Sequence, residues 1–241
     1  AYARSHDLSE GQARAITFAG TWGSWQGFGW AEVFDIGTGD DGISDRVAVT
    51  VAAGLAGITT GALIARKPIS AGTATTVNFG GLWGSLFGIA GGVLAGLEDD
   101  DLLAATLVGG NAGLVTTAIL APRWQMSRNR ARLVSIAGVL GGVAGAGILL
   151  LTQPDDERIA ITIPLAGSIA GLAIGAATTR DYDQGGAAGG DGPEGNALLE
   201  WRGGRPRLGT PLPLPGLVRA GDGPRAPWRP AARLMLFRAR F

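Results

Sequence analysis

The chain has no cysteine, one histidine (His6) and one lysine (Lys67) in 241 residues. Without cysteine there is nothing to bridge, so a disulfide scaffold is excluded. A single His leaves no N/S ligand set for zinc, haem or an iron–sulfur cluster, and neither metal nor cofactor is expected. Charge is scarce as well, 17% of residues against about 25% in ordinary domains. Its 20 basic and 20 acidic residues cancel, which removes net steering toward nucleic acid as a partner.

Catalytic sets are missing too. Gly37-Thr-Gly-Asp-Asp-Gly42 satisfies G-x-G-x-x-G, but a helix pattern precedes it and Asp40 and Asp41 would repel a pyrophosphate. The same loop lacks the ligand spacing of an EF-hand and reads as a solvated loop capping the next helix. The run Glu98–Asp101 reads likewise. Ser24 and Ser85 follow glycine without a G-x-S-x-G elbow, and His6 lies too far away in the polar lead-in to complete a triad. No catalytic residue is expected.

What is abundant is glycine. Its 42 residues are more than twice the usual share of about 7%, and they follow no Gly-X-Y period. By composition the chain divides into a polar lead-in (1–14), an apolar small-residue region (15–180), a Gly-rich linker (181–196) and an Arg/Pro-rich tail (197–241). Ala1 is not an initiator Met and no signal peptide follows it, so the sequence reads as a processed product or a fragment.

Six apolar stretches lie within 15–180: Ile16–Phe34, Val47–Ala65, Ser70–Leu97, Leu102–Ala121, Leu133–Thr152 and Ile159–Thr179. Each approaches the ~20 residues that cross ~30 Å of hydrocarbon. Only the first holds an ionisable residue, Glu32, and it is the weakest span. A soluble amphipathic helix would carry a charged face, which is absent here. Loops alternate in sign: acidic after the first, third and fifth stretches, basic after the second and fourth. Arg46 and Arg158 are exceptions. Such alternation predicts six spans with both termini on one side. Helix capping explains the charges flanking the even stretches but not Arg128, Arg130 and Arg132, which start the fifth against its dipole. Pro164 predicts either a kink in the sixth stretch or the first turn of a later-starting helix.

A threefold repeat is visible. Phe18-Ala-Gly-Thr-Trp-Gly-Ser24 matches Phe79-Gly-Gly-Leu-Trp-Gly-Ser85 and, more faintly, Ile136-Ala-Gly-Val-Leu-Gly-Gly142. Three hairpins follow, at about 15–67, 70–123 and 127–180. Small residues recur every four positions, placing one set on one face of each helix. The predicted packing positions are Gly23 and Gly27, Gly57 and Gly61, Gly80, Gly84, Gly88 and Gly92, Gly109 and Gly113, Gly141 and Gly145, and Gly167, Gly171 and Gly175. Three like-oriented hairpins suggest a compact bundle with a pseudo-threefold arrangement; an extended row of hairpins also satisfies the pattern. Trp22, Trp25, Trp30 and Trp83 read either as an interfacial belt or as packing residues. Gln26, Asn78 and Asn111 interrupt apolar stretches, where such groups bond across helices or line a polar path.

The tail carries nine Arg against Glu200 and Asp222, and alternating Pro and Leu that favour extended backbone. Arg202, Arg205, Arg207, Trp228 and Phe241 are its predicted interaction residues, for a partner or an anionic surface. Its end, 233–241, has strand character. The repeat followed by a Phe-terminated tail resembles the C-terminal parts of bacterial envelope proteins from high-GC genomes, a resemblance that carries no functional residues.

The expected fold is all-α, a six-helix membrane bundle of three repeated glycine-zipper hairpins with an extended basic tail. The expected function is a non-enzymatic integral membrane anchor or assembly subunit, contacting lipid and protein partners or copies of itself. An oligomeric pore, a soluble helical subunit with a buried apolar core and an enzyme using the acidic loops are the alternatives. Basic loops and both termini would be cytoplasmic in an inner membrane; an outer membrane also fits.

Overall fold

In the computed structural model the chain divides into two units, residues 1–191 and 192–241. Described are residues 8–37, 42–154 and 156–183 of the first, and the backbone of 197–202, 205–208, 214–219, 228–233 and 235–240 of the second. Most of the loop motif at 37–42, Asp155 and most of the Gly-rich linker lie outside the described residues.

The first unit is helical: α1 (Glu10–Val33), α2 (Gly42–Ile64), α3 (Ala71–Leu94), α4 (Asp99–Trp124), α5 (Arg128–Thr152) and α6 (Glu157–Thr178). The helices start in polar sequence because polar side chains satisfy their first N–H groups. Ser9, Ser70 and Ser127 cap α1, α3 and α5, accepting from the N–H of Gln12, Thr73 and Arg130 at 3.2, 3.0 and 3.2 Å. Gln12 also accepts the Ser9 N–H at 2.8 Å, completing a capping box. Hence α1 begins at Glu10, inside the lead-in and ahead of the apolar stretch. The first turn of α4 holds Asp99, Asp100 and Asp101, and that of α2 holds Asp45, where the dipole favours them. Asp156 caps α6, so that helix starts at Glu157 and Pro164 lies inside it. This corrects the alternative in which Pro164 opens the helix. The acidic cap fixes the start, and proline removes only one interior donor.

Five helices, α2 to α6, are long and apolar enough to cross a membrane; α1 is not among them. Each odd helix packs along the even helix that follows it, giving three hairpins. Small residues make this approach possible. A Cβ added at Gly113 would lie 2.8 Å from the Gly84 Cα, and one at Gly84 would lie 2.9 Å from the Gly113 Cα. In the other hairpins a Cβ at Gly23 would meet the Gly57 Cα at 3.2 Å, and one at Gly141 the Gly171 Cα at 3.0 Å. Backbone therefore rests on backbone.

The interior is correspondingly made of small residues. Buried apolar positions among the described residues are alanines and Leu107, the only large side chain fully buried. Large apolar side chains point outward instead: Phe28 on α1, Leu55 on α2, Leu82 on α3, Ile119 on α4, Val143 on α5 and Ile174 on α6 are all exposed.

The hairpins form a row. The first packs on the second through α1 against α3 and α4, and the second on the third through α3 against α5 and α6. Among the described residues no packing of comparable extent closes the third onto the first. This corrects the expected compact pseudo-threefold bundle: packing through α1 and α3 gives the row.

The second unit pairs β1 (Ala197–Arg202) with β2 (Arg205–Leu208) antiparallel and with β5 (Met235–Arg240) parallel. β3 (Leu214–Arg219) pairs antiparallel with β4 (Trp228–Arg233). Arg202 ends β1, Arg205 and Arg207 lie on β2 and Trp228 starts β4. Their side chains and all of Phe241 are outside the described residues.

Candidate functional site

Three constellations hold the polar chemistry of the helical unit. The first is a bridge between hairpins one and two. The Trp22 indole N–H donates to Asn111 Oδ1 at 3.0 Å, and Asn111 Nδ2 donates to Gln26 Oε1 at 2.9 Å. Gln26 Oε1 also accepts from the Trp30 indole at 3.0 Å. Gln26 Nε2 is buried without a partner. Of the three polar residues singled out from sequence, the fold brings Gln26 and Asn111 together and leaves Asn78 out of the cluster.

Trp22 does more than bond. Its ring fills the space over two glycines of the second hairpin, where a Cβ at Gly110 or Gly81 would lie 2.8 or 3.1 Å from it. Trp83 does the same one hairpin on, sitting 2.7 Å from where a Gly138 Cβ would be and donating to Ser135 Oγ at 2.9 Å. Trp22 and Trp83 are thus packing residues, whereas Trp25 is exposed. Trp30 stacks on Phe34 with centroids 5.5 Å apart.

The second constellation sits at the end of the bundle where the odd helices start. Glu10 accepts from Arg14 at 2.8 Å and pairs with Arg128, which is buried. Arg130 reaches Asp183 Oδ2 at 3.3 Å, and the same oxygen accepts the Ser127 N–H. Burial acts to raise the Glu10 pKa. It is outweighed by the Arg14 hydrogen bond and the charges of Arg128 and Arg14, and the pKa ends below the ordinary value. These carboxylates offset the arginines that stand against the α5 dipole. Asp183, placed by sequence in the linker, folds back onto the start of α5 after a 3₁₀ turn at Arg180–Tyr182.

The third is a cleft of about 1060 Å³ between hairpins two and three, walled by α3, α4, α5 and α6. Its only ionisable lining side chains among the described residues are Arg130 and Arg180. Among the described residues no three of His, Asp and Glu converge as a metal site requires.

No family model, curated protein or solved structure matches this chain.

Sequence reasoning missed the three serine caps, the tryptophan-into-glycine contacts and the cleft. The caps had a readable signal: Ser9, Ser70 and Ser127 each lie nine residues before Phe18, Phe79 and Ile136, respectively.

Proposed function

We propose that this chain is a non-enzymatic integral membrane protein, an anchor or assembly subunit of a bacterial envelope complex built from three glycine-zipper hairpins. One observation carries the reading: the bundle is inside out, with glycine and alanine within and Leu, Ile, Val and Phe exposed around every helix. Water would penalise that surface by about 25 cal/mol per Å² of apolar area, whereas lipid does not. A contiguous apolar surface on this scale belongs against a membrane. The first hairpin inserts as a unit, α1 being carried by α2.

Agreement of contacts supports the threefold repeat. Ser24 Oγ covers Gly54, Ser85 Oγ covers Gly110 and Ser168 Oγ covers Gly142. In the third hairpin the serine and glycine have exchanged helices while the contact persists. The bonds of Gln26 and Asn111 to one another and to two indoles favour a bridging role over a water-filled path. The strand-forming tail supplies the partner-docking arm, and the basic loops and both ends of the helical unit share one side.

Membrane fractionation tests the reading. The full chain should stay with the bilayer through alkaline carbonate washing and require detergent for extraction. A monodisperse soluble form without detergent would refute it.

A further inference from the structure

The geometry points to the cleft between the second and third hairpins as a binding site for one phospholipid of single negative charge. This inference rests on the membrane reading above.

Charge is confined to one end of the cleft. Arg130 and Arg180 stand where α5 begins and α6 ends, beside Trp124 at the end of α4. Below them the walls are apolar. Asp183 neutralises one of the two guanidinium charges through Arg130. Of the two lining arginines this leaves Arg180 for the single negative charge of a phosphodiester headgroup with an uncharged alcohol. Arg180 is exposed, and among the described residues no carboxylate pairs with it. A basic pocket between membrane helices, with a Trp at its rim, suits an anionic headgroup.

Among the described residues, three of the four hydroxyls on the walls are already engaged, Thr116 being the exception. Thr76 and Thr117 donate to Gly72 and Gly113 carbonyls of their own helices at 3.0 and 2.8 Å, and Ser135 accepts from Trp83. The walls are therefore mainly apolar and suit an acyl chain. Depth agrees. From Thr76 to Gly88 the cleft follows α3 for twelve residues, about 18 Å at ~1.5 Å per residue. One leaflet of a ~30 Å hydrocarbon core is about 15 Å. The cleft is thus about as deep as one leaflet. Small wall residues, Ala112, Ala173 and Ala176 among them, keep it open.

The test uses the full chain in nanodiscs of mixed phosphatidylglycerol and phosphatidylcholine, followed by detergent exchange and mass spectrometry of retained lipid. Wild type should keep about one phosphatidylglycerol per chain and little phosphatidylcholine. Arg180→Gln, which removes charge but no packing, should lower phosphatidylglycerol retention at least about tenfold, and Arg180→Lys should restore most of it. Ala173→Phe should lower retention of both lipids, with helix content by circular dichroism showing that the bundle still forms. Equal retention of the two lipids by wild type would overturn the proposal, as would undiminished phosphatidylglycerol in Arg180→Gln. A protein found in membranes but without bound phosphatidylglycerol refutes the cleft assignment alone; one absent from membranes refutes the membrane reading.

Discussion

At the scale of single residues, most polar atoms that enter this bundle have a partner supplied, Gln26 Nε2, Ser85 Oγ and Asp183 Oδ1 being the buried exceptions. Threonine does so within its own helix: Thr50, Thr75, Thr106 and Thr162 each donate to the carbonyl four residues back, at 2.7–2.8 Å. Charges do so across elements. Glu32, the one ionisable residue in the first apolar stretch, pairs with Arg46, one of the two bases in acidic loops. Two sequence oddities explain each other. The Glu10 pairing depends on pH. The lowered pKa of Glu10 means that its stabilising effect is complete above the unfolded value of about 4.3 and is lost as pH falls through the lower folded value. Thermal stability should therefore fall as pH drops below about 4.5. Glu10→Gln should be less stable at neutral pH and flatter through that acid range, and melting followed by circular dichroism in detergent between neutral pH and pH 3 checks both.

Glycine acts at the scale of the helix pair, and its neighbours decide its effect. A Cβ at Gly113 meets the Gly84 backbone, so Gly113→Ala must push α3 and α4 apart and should cost about 1–3 kcal/mol. Gly91, on the same hairpin, has nothing within 4 Å of an added Cβ. Gly91→Ala should instead stabilise α3 by about 0.5–1 kcal/mol. Opposite signs for two Gly→Ala changes in one hairpin, measured by reversible unfolding in mixed micelles, would separate close packing from helix propensity. The four-residue register put Gly84 and Gly113 each on the small-residue face of its own helix. It could not distinguish Gly91 by energetics, because distance to a partner helix is not a property of one helix.

For the whole molecule, the hairpins join by a contact that runs in one direction. Gly11 of α1 lies against Ile69 and Ser70 before α3, and Gly72 of α3 lies against Met126 and Ser127 before α5. Trp22 enters the second hairpin as Trp83 enters the third. Such head-to-tail contacts extend rather than close, and in the third hairpin Leu140 and Asn129 stand where the first two have Trp and Gly. Trp22→Ala should therefore release the first hairpin selectively. Hydrogen exchange should rise across residues 10–64 while 128–178 keep their protection; a uniform rise would mean that the bundle is one cooperative block.

Sequence by itself determined the number of helices in the first unit, the apolar character of five of them and which small residues share a face of one helix. Those properties are local: hydropathy is summed along one segment, and a four-residue spacing fixes one face. Only the tertiary structure decided that the hairpins stand in a row, that Gln26 meets Asn111 while Asn78 does not, and that Arg130 and Arg180 share a cleft. Glycine faces are flat and nearly interchangeable, so they do not choose among partners. The choice is made by large side chains entering specific gaps and by charges meeting across a distance in sequence, as Trp22 meets Gly110 and Arg128 meets Glu10.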